Sequence, residues 1–468
     1  MDKPFPTVRH VTRRYAPKQA PCPHCGQRGR RKQLLHRTVR DIALGDIVYL
    51  HVTTAEYRAR CACCRTFRTQ VPGIDAKARY SQRVRQAVLD RLIDDRMSLQ
   101  RIQAAFARDF YLDLSIGFLY DCLDWKIRQL DHAAYRKWVL QQFSGTLCVD
   151  EIHLGYSTLL LATDPLRDLP IAFAVVQAND QEHLGRFLGQ LRDHGLQPHV
   201  VITDGSNLYP AVLARLWPTA EHQLCVFHVL KDIHSYVLAG VRRRCKSMRG
   251  AANRRRRPRR RGRPRHRDTA QFRQQRELQQ HAQFVYRRRF LIVTRRDHLS
   301  PLQQEQLHQT LEYLPALRVL RRFVDAVHHL LEAAQTEAQA WHRYECLMRD
   351  PAFASDPDLA PALKMLTPGQ FTKMIAFLRS PVGQRVRTNN HVERLNRQLR
   401  YYEKVRYRWR LPRRIVGFVL LAIHRRWRQR PRLGPPPSPS DPAPQASVDA
   451  TRAASGAVVE ARAPPMAA

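Results

Sequence analysis

Two aspartates, Asp150 and Asp204, occupy positions where a carboxylate could do chemistry. Asp150 follows the apolar residues 147–149, and Asp204 follows the run 200–203. Both are predicted to lie where a buried strand meets a loop, the edge at which open α/β sheets present their ligands. A carboxylate there needs compensation, which a divalent cation such as magnesium would supply. The alternative is that both are ordinary turn residues after a strand.

A third acid, Glu393, lies in the cationic stretch TNNHVERLNRQLRYYEKVRYRWR at residues 388–410. On a helix, Val392, Leu395 and Leu399 form an apolar stripe, and Glu393 falls on the polar side. The polar side also carries Asn389, Asn396, Arg397 and Arg400. Considered locally, Glu393 would be an exposed residue in an i,i+4 ion pair with Arg397.

Four cysteines near the start of the chain form two C-x2-C pairs. Cys22 and Cys25 lie in PCPHCG, and Cys61 and Cys64 lie in RCACC. Two such pairs separated by a β-rich stretch fit tetrahedral zinc, as in a zinc ribbon with an inserted hairpin. Structural thiols without metal are the alternative.

The elements that must position these residues fall into six segments. They are a cysteine-bearing β-rich domain at 1–75, a helix-turn-helix unit at 80–145, an α/β core at 146–232, a basic linker and helical insertion at 233–380, a helix at 381–430, and a Pro/Ala-rich, disordered tail at 431–468. Short apolar runs from residue 146 onward, interrupted by a helical stretch at 181–194, predict a sheet with a crossover connection. Ser98, Ser115 and Ser300 are predicted N-caps of helices.

The charge balance indicates a polyanionic partner. The 468 residues include 80 Lys and Arg against 40 Asp and Glu, a formal net charge of +40. Such a surface repels itself unless it binds a polyanion, and nucleic acid is the first candidate. The Arg-rich block at 242–267 contains no acid, so we expect it to be disordered until it meets phosphates. No signal peptide and no apolar run of about 20 residues is visible, which predicts an intracellular protein with no membrane partner.

Taken together, D-E at 150–151, T-D-G at 203–205 and N-N-x-x-E-R at 389–394 resemble the motifs of the DDE transposases of bacterial insertion sequences. The likeness is to those with an N-terminal zinc ribbon and to the Mutator-like group. It implies an RNase H-like α/β core interrupted by a helical insertion, preceded by a zinc ribbon and a helix-turn-helix unit. In this resemblance Asp150, Asp204 and Glu393 are the catalytic acids and bind two magnesium or manganese ions.

The resemblance also assigns residues around these acids. Neighbours of the site that would contact DNA are Asn389, Asn390, Arg397 and Arg400. Cys225 and His228 match a C-x-x-H motif that some of these transposases carry. The alternative for this pair is a buried cysteine on a strand and a histidine at a helix start.

The predicted function is that of an insertion-sequence transposase in the bacterial cytoplasm, associated with the nucleoid. It would bind terminal inverted repeats and catalyse two-metal phosphodiester cleavage and strand transfer. Its partners would be double-stranded DNA of its own ends, target DNA, and further copies of itself in a homodimer or higher oligomer. Two alternatives stay open: an RNase H-like nuclease or resolvase without strand transfer, and a catalytically inactive, transposase-derived DNA-binding protein.

Overall fold

The computed structural model describes residues 6–62, 65–254, 270–332, 334–405 and 411–428. Three sequence predictions therefore fall wholly or partly outside the described residues. They concern the zinc ligand Cys64, the second half of the Arg-rich block and the tail at 431–468.

An N-terminal sheet is built around one long hairpin. Its strands are β1 (Thr7–Tyr15), β2 (Gln19–Pro21), β3 (Arg28–Ala43), β4 (Asp46–Arg58) and β5 (Thr66–Arg68). The strand order is β1-β4-β3-β2, and β5 also pairs with β4. Val48, Leu50 and Val52 alternate along β4 and are buried beneath Val71 and Ile74. This alternation gives β4 one covered face and agrees with the β-rich character predicted for this part of the chain.

A helical unit follows the sheet. It comprises α1 (Gln82–Leu89), a π-helical turn at Asp90–Asp94, α2 (Leu99–Phe110), α3 (Ile116–Ile127) and α4 (His132–Gln142). The hydroxyls of Ser98 and Ser115 accept hydrogen bonds from the third backbone N–H of α2 and α3, which confirms both predicted caps.

The central sheet has the predicted mixed α/β character. Its strands are β6 (Thr146–Leu154), β7 (Ser157–Asp164), β8 (Leu169–Val176), β9 (Val200–Thr203) and β10 (Glu221–Leu224). Their order is β10-β9-β6-β7-β8; β6, β7 and β8 are antiparallel, and β9 and β10 run parallel to β6. The predicted crossover helix is α5 (Gln181–Asp193), and α6 (Tyr209–Leu216) follows β9.

A largely helical insertion with its own apolar core follows β10. It contains α7 (Val226–Arg254), α8 (Ala270–Arg287), α9 (Pro301–Tyr313), α10 (Leu317–Glu332), α11 (Glu337–Arg349), α12 (Pro351–Ala354), α13 (Ala360–Met365) and α14 (Pro368–Met374). Ser300 is the N-cap of α9, as predicted, and forms a capping box with Gln303.

The Arg-rich block corrects one expectation. Its first half, through Arg254, belongs to α7, so the prediction of disorder is wrong for those residues. Val241 and Cys245 of α7 are buried in the insertion core. Arg244 pairs with both Asp356 and Asp358, which places acids from a distant part of the chain against the block. Apolar burial and these ion pairs offset the self-repulsion from which disorder was inferred.

The chain returns to the central sheet through α15 (Asn390–Val405) and α16 (Pro412–Arg428). Val392, Leu395 and Leu399 are buried in one core cluster with Cys148 of β6, which confirms the predicted apolar stripe. The same cluster includes α1, α2 and α3, so the helical unit shares its core with the sheet. None of the described helices is both long and apolar enough to cross a bilayer.

Candidate active site

The two predicted aspartates meet at one edge of the central sheet. Cys148 of β6 pairs with Ile202 of the parallel strand β9, so Asp150 and Asp204 follow at the same level. Strand β6 continues past Asp150 and forms a hairpin with β7, whereas β9 ends at Thr203, just before Asp204. Carboxylate oxygens of Asp150, Asp204 and a third acid, Glu151, all lie within 4.8 Å of one another.

Glu151 has firm partners of its own. Asn179 donates from Nδ2 to its Oε1 at 3.1 Å, and the hydroxyl of Tyr209 on α6 donates to its Oε2. The D-E pair is part of the motif in the sequence, but the resemblance assigns a role to Asp150 alone. Side chains alternate along a strand, so adjacency on β6 did not predict that both acids would reach Asp204. The two adjacent acids at 150–151 were the available signal for a further acid at the site.

Glu393 lies in the first turn of α15, beside this group. Its side chain is 25% exposed, and its Oε1 is 3.5 Å from Nε2 of His228. It does not belong to the set of acids within 4.8 Å, but its charge contributes to a raised pKa of Asp150. The structure therefore places Glu393 at the margin of the aspartate pair, not on a remote surface.

Two asparagines attach α15 to β6. Asn396 donates from Nδ2 to Oδ2 of Asp150 at 2.7 Å, and Asn389 donates from Nδ2 to the carbonyl of Val149 at 3.2 Å. Asn389 is fully buried, so its side chain has no surface toward DNA, in contrast to the contact expected from sequence. The other predicted DNA contacts, Asn390, Arg397 and Arg400, are exposed on α15.

The C-x-x-H pair connects α7 to the segment that carries Glu393. Cys225 is buried between β10 and α7, and its Sγ accepts a hydrogen bond from the backbone N–H of Asn389 at 3.1 Å. Burial raises the pKa of the Cys225 thiol, which keeps it neutral. His228 lies in the first turn of α7 and faces Glu393. The burial fits the alternative of a structural cysteine, but both residues also contact the N-terminal end of α15.

Comparison with known proteins identifies the family of the chain. The model of the ISL3-type DDE family, described as Transposase, matches residues 147–407. The chain belongs to this transposase family. The match covers more than half of the chain and includes Asp150, Asp204, the helical insertion and Glu393. No curated protein matches the chain.

The acids of this transposase concentrate negative charge in a largely buried place. Burial raises the pKa of Asp150 to about 7, and the charges of Glu151, Asp204 and Glu393 add to the effect. The Oδ1 atom of Asn396 is buried and has no hydrogen-bond partner among the described residues. A bound cation would relieve the repulsion between these carboxylates. Carboxylate and amide oxygens are donors that magnesium and manganese accept, so the donor set fits such an ion.

A second group of potential metal ligands lies in the N-terminal domain of the transposase. Sulfur atoms of Cys22, Cys25 and Cys61 all lie within 4.8 Å of one another. The first two belong to a tight turn, in which the backbone N–H of Gly26 donates to the carbonyl of Cys22 and Gly26 has a φ of +76°. Three thiols at this spacing fit a structural zinc ion. The predicted fourth ligand, Cys64, lies outside the described residues.

Proposed function

We propose that this transposase binds the ends of its own element, cleaves them and joins them to target DNA. Asp150, Asp204 and Glu393 would hold two magnesium or manganese ions for both steps. The observation that carries the proposal is the convergence of the three acids from β6, the end of β9 and the start of α15. The order of the central strands, three antiparallel followed by two parallel to the first, supports an RNase H-like core.

The chemistry needs an activated oxygen nucleophile and a stabilised leaving oxygen, which two bound divalent ions supply in an in-line displacement. The protein's contribution is to hold the ligands still. Asn396 orients the carboxylate of Asp150, and the backbone of α15 sets the position of Glu393. Asn179 and Tyr209 keep Glu151 beside the pair, where it can add charge or accept a hydrogen bond from a bound water.

Exposed arginines on α15 supply the binding surface. Arg397 and Arg400 lie on the same helix as Glu393, four and seven positions further along, and both side chains are exposed. Guanidinium groups there would hold DNA phosphates close to the acids. The Arg-rich residues of α7 and of the segment after it would add contacts that do not depend on sequence.

The assembly must bring two DNA ends together, which requires at least a homodimer. Zinc bound by Cys22, Cys25, Cys61 and Cys64 would hold the N-terminal domain in a shape that recognises the terminal repeats. The helical unit that follows the N-terminal domain shares its core with the catalytic sheet. Binding of the N-terminal domain to the repeat would therefore fix the DNA relative to the acids through this unit.

The direct experiment is a strand-transfer assay with pre-cleaved ends and a supercoiled target in the presence of magnesium. Asp150→Asn and Glu393→Gln should abolish joining and leave DNA binding unchanged. Glu403→Gln, a matched change on the same helix, should retain activity. Cleavage without joining by the unmodified protein would favour a nuclease or resolvase, and binding without either step would indicate an inactive DNA-binding protein.

A further inference from the structure

The N-terminal sheet has an open face that the proposed function does not use. Strands β1, β4 and β3 are neighbours; on one face, Val71 and Ile74 cover the apolar side chains of β3 and β4, whereas β1 is exposed on both faces along almost its whole length. The strand register places three consecutive rows of side chains on the opposite face. The rows are His10, Tyr49 and Arg40; then Thr12, His51 and Thr38; then Arg14, Thr53 and His36. These rows contain no acid, and every side chain in them is exposed or only partly buried.

The open face is ordered by contacts among its own side chains. The ring of His10 stacks on Tyr49 at 5.4 Å and on His51 at 5.1 Å, with interplanar angles of 12° and 17°. The guanidinium of Arg40 lies 4.7 Å from the centre of the Tyr49 ring. Thr38 Oγ1 is 3.2 Å from Nδ1 of His51. Rings and hydroxyls are thus held in fixed positions on a surface, not packed into a core.

The helix-turn-helix unit is the other candidate for reading DNA, but its second helix is packed against neighbouring helices. In a helix-turn-helix unit the second helix of the pair, here α3, would enter the major groove. Helix α3 packs against both α1 and α16. Of its acids, Asp121 is exposed and Asp124 pairs with Arg414 of α16. An exposed acid such as Asp121 would face phosphates, so α3 is poorly suited to the groove.

We propose that the open face of β1, β4 and β3 lies in the major groove of duplex DNA and reads base edges at the element's ends. This inference rests on the proposed function. The groove is about 12 Å wide and accepts a two-stranded β-ribbon; with strands about 4.8 Å apart, the axes of the two outer strands of this face are about 10 Å apart, which still fits within that width. Hydroxyl and imidazole groups such as those of Thr12 and His36 can donate to and accept from base edges. Arg14, at the end of β1, is placed to contact a flanking phosphate.

The test uses the full-length protein with no added magnesium or manganese and with no chelator, so that the cysteines keep any zinc they bind. The probes are a duplex selected by this protein from a random-sequence library and a scrambled duplex of equal composition. Arg13 and Arg14 are adjacent, both exposed, and on opposite faces of β1. Arg14→Ala should weaken binding of both duplexes about ten-fold and lower the salt slope by about one, whereas Arg13→Ala should change affinity less than about two-fold.

A second variant tests sequence reading separately. Thr12→Ala with Thr38→Ala should reduce the ratio of affinities for the selected over the scrambled duplex by at least about five-fold. Equal effects of Arg13→Ala and Arg14→Ala, or an unchanged ratio in the threonine variant, would overturn the proposal. So would a change in oligomeric mass without a change in DNA affinity, because the face would then join copies of the chain. Because magnesium is omitted, these DNA-binding measurements do not depend on catalysis by the acids. The strand-transfer assay on pre-cleaved ends tests the catalytic acids separately.

Discussion

Asn396 donates a 2.7 Å hydrogen bond to Asp150, a residue 246 positions earlier in the chain. The bond joins the cationic helix α15 to the central strand β6 and places the first turn of the helix, with Glu393, beside the aspartates. This explains why a strongly basic segment contains Glu393: the residue belongs to an acidic site on the side of the helix that faces the sheet. The basic residues lie on the side that faces solvent. The helix is both the support of the site and, through Arg397 and Arg400, its exposed basic surface.

Replacing Asn396 should weaken the site without removing an acid. Asn396→Leu deletes the donor to Asp150, and loss of such a supporting hydrogen bond lowers metal affinity or activity by about 10- to 100-fold. Cleavage measured across a magnesium titration should shift to higher magnesium and recover partly at saturation. Gln398→Leu removes an amide from the same helix whose hydrogen bond to Tyr402 stays within that helix, and it should leave the titration unchanged. Identical curves for wild type and Asn396→Leu would contradict the role given to Asn396.

Cys225 should act as a positioning residue through its sulfur. Cys225→Ala removes the acceptor of the Asn389 N–H, and Cys225→Ser keeps an oxygen acceptor there. We expect kcat for cleavage to fall about ten-fold in the alanine variant and to recover in part in the serine variant, with little change in KM for DNA. Cys245→Ala, which changes a buried cysteine within α7, is the control for packing loss. A kcat equally low in both alanine variants would assign Cys225 to packing alone.

The raised pKa of Asp150 makes the stability of the metal-free protein depend on pH. Its pKa is about 7 when folded against 3.8 as the ordinary value, so the folded state binds the extra proton between these limits. The stabilisation from the neutral acid is present at low pH and is lost as pH rises from about 4 to about 7. Asp150→Asn should therefore raise the free energy of unfolding by about 1–3 kcal/mol at pH 8 and have little effect at pH 4.

Urea denaturation of both proteins at the two pH values, without divalent cations, checks this expectation. Magnesium added at pH 8 should stabilise the wild type and have little effect on the variant, since ion binding requires the carboxylate. A variant less stable than the wild type at pH 8 without metal would show that the ionised carboxylate of Asp150 does not destabilise the folded protein.

The N-terminal cysteines should bind one zinc ion that supports DNA recognition. Cys22→Ser should reduce the zinc content measured by elemental analysis and weaken binding to the selected duplex, because the ion organises the turn between Cys22 and Cys25. Cys346→Ser changes an exposed cysteine of the insertion and should alter neither quantity. Full zinc content in the Cys22 variant would exclude this sulfur as a ligand.

The sequence patterns predicted the strands and the helix that carry the site better than the contacts of its individual side chains. Apolar runs located β6 and β9, and therefore the level shared by Asp150 and Asp204; the stripe of Val392, Leu395 and Leu399 oriented α15 correctly. A helical wheel separates apolar from polar faces but cannot distinguish solvent from a polar site in the protein. Asn396 was accordingly grouped with the exposed arginines although it is buried.

The order of the first half of the Arg-rich block was not predictable from local charge. The compensating acids, Asp356 and Asp358, lie more than one hundred positions away from Arg244, and composition alone indicated repulsion. Long-range pairing of this kind depends on the packing of the whole insertion.

The central claim is that Asp150, Asp204 and Glu393 jointly bind the catalytic ions. Anomalous diffraction from crystals of the transposase with manganese and a pre-cleaved DNA end tests it most directly. We expect manganese peaks in contact with carboxylate oxygens of all three residues, and loss of a peak in Glu393→Gln. Peaks held by Asp150, Glu151 and Asp204 alone, with Glu393 bound only to His228, would contradict it.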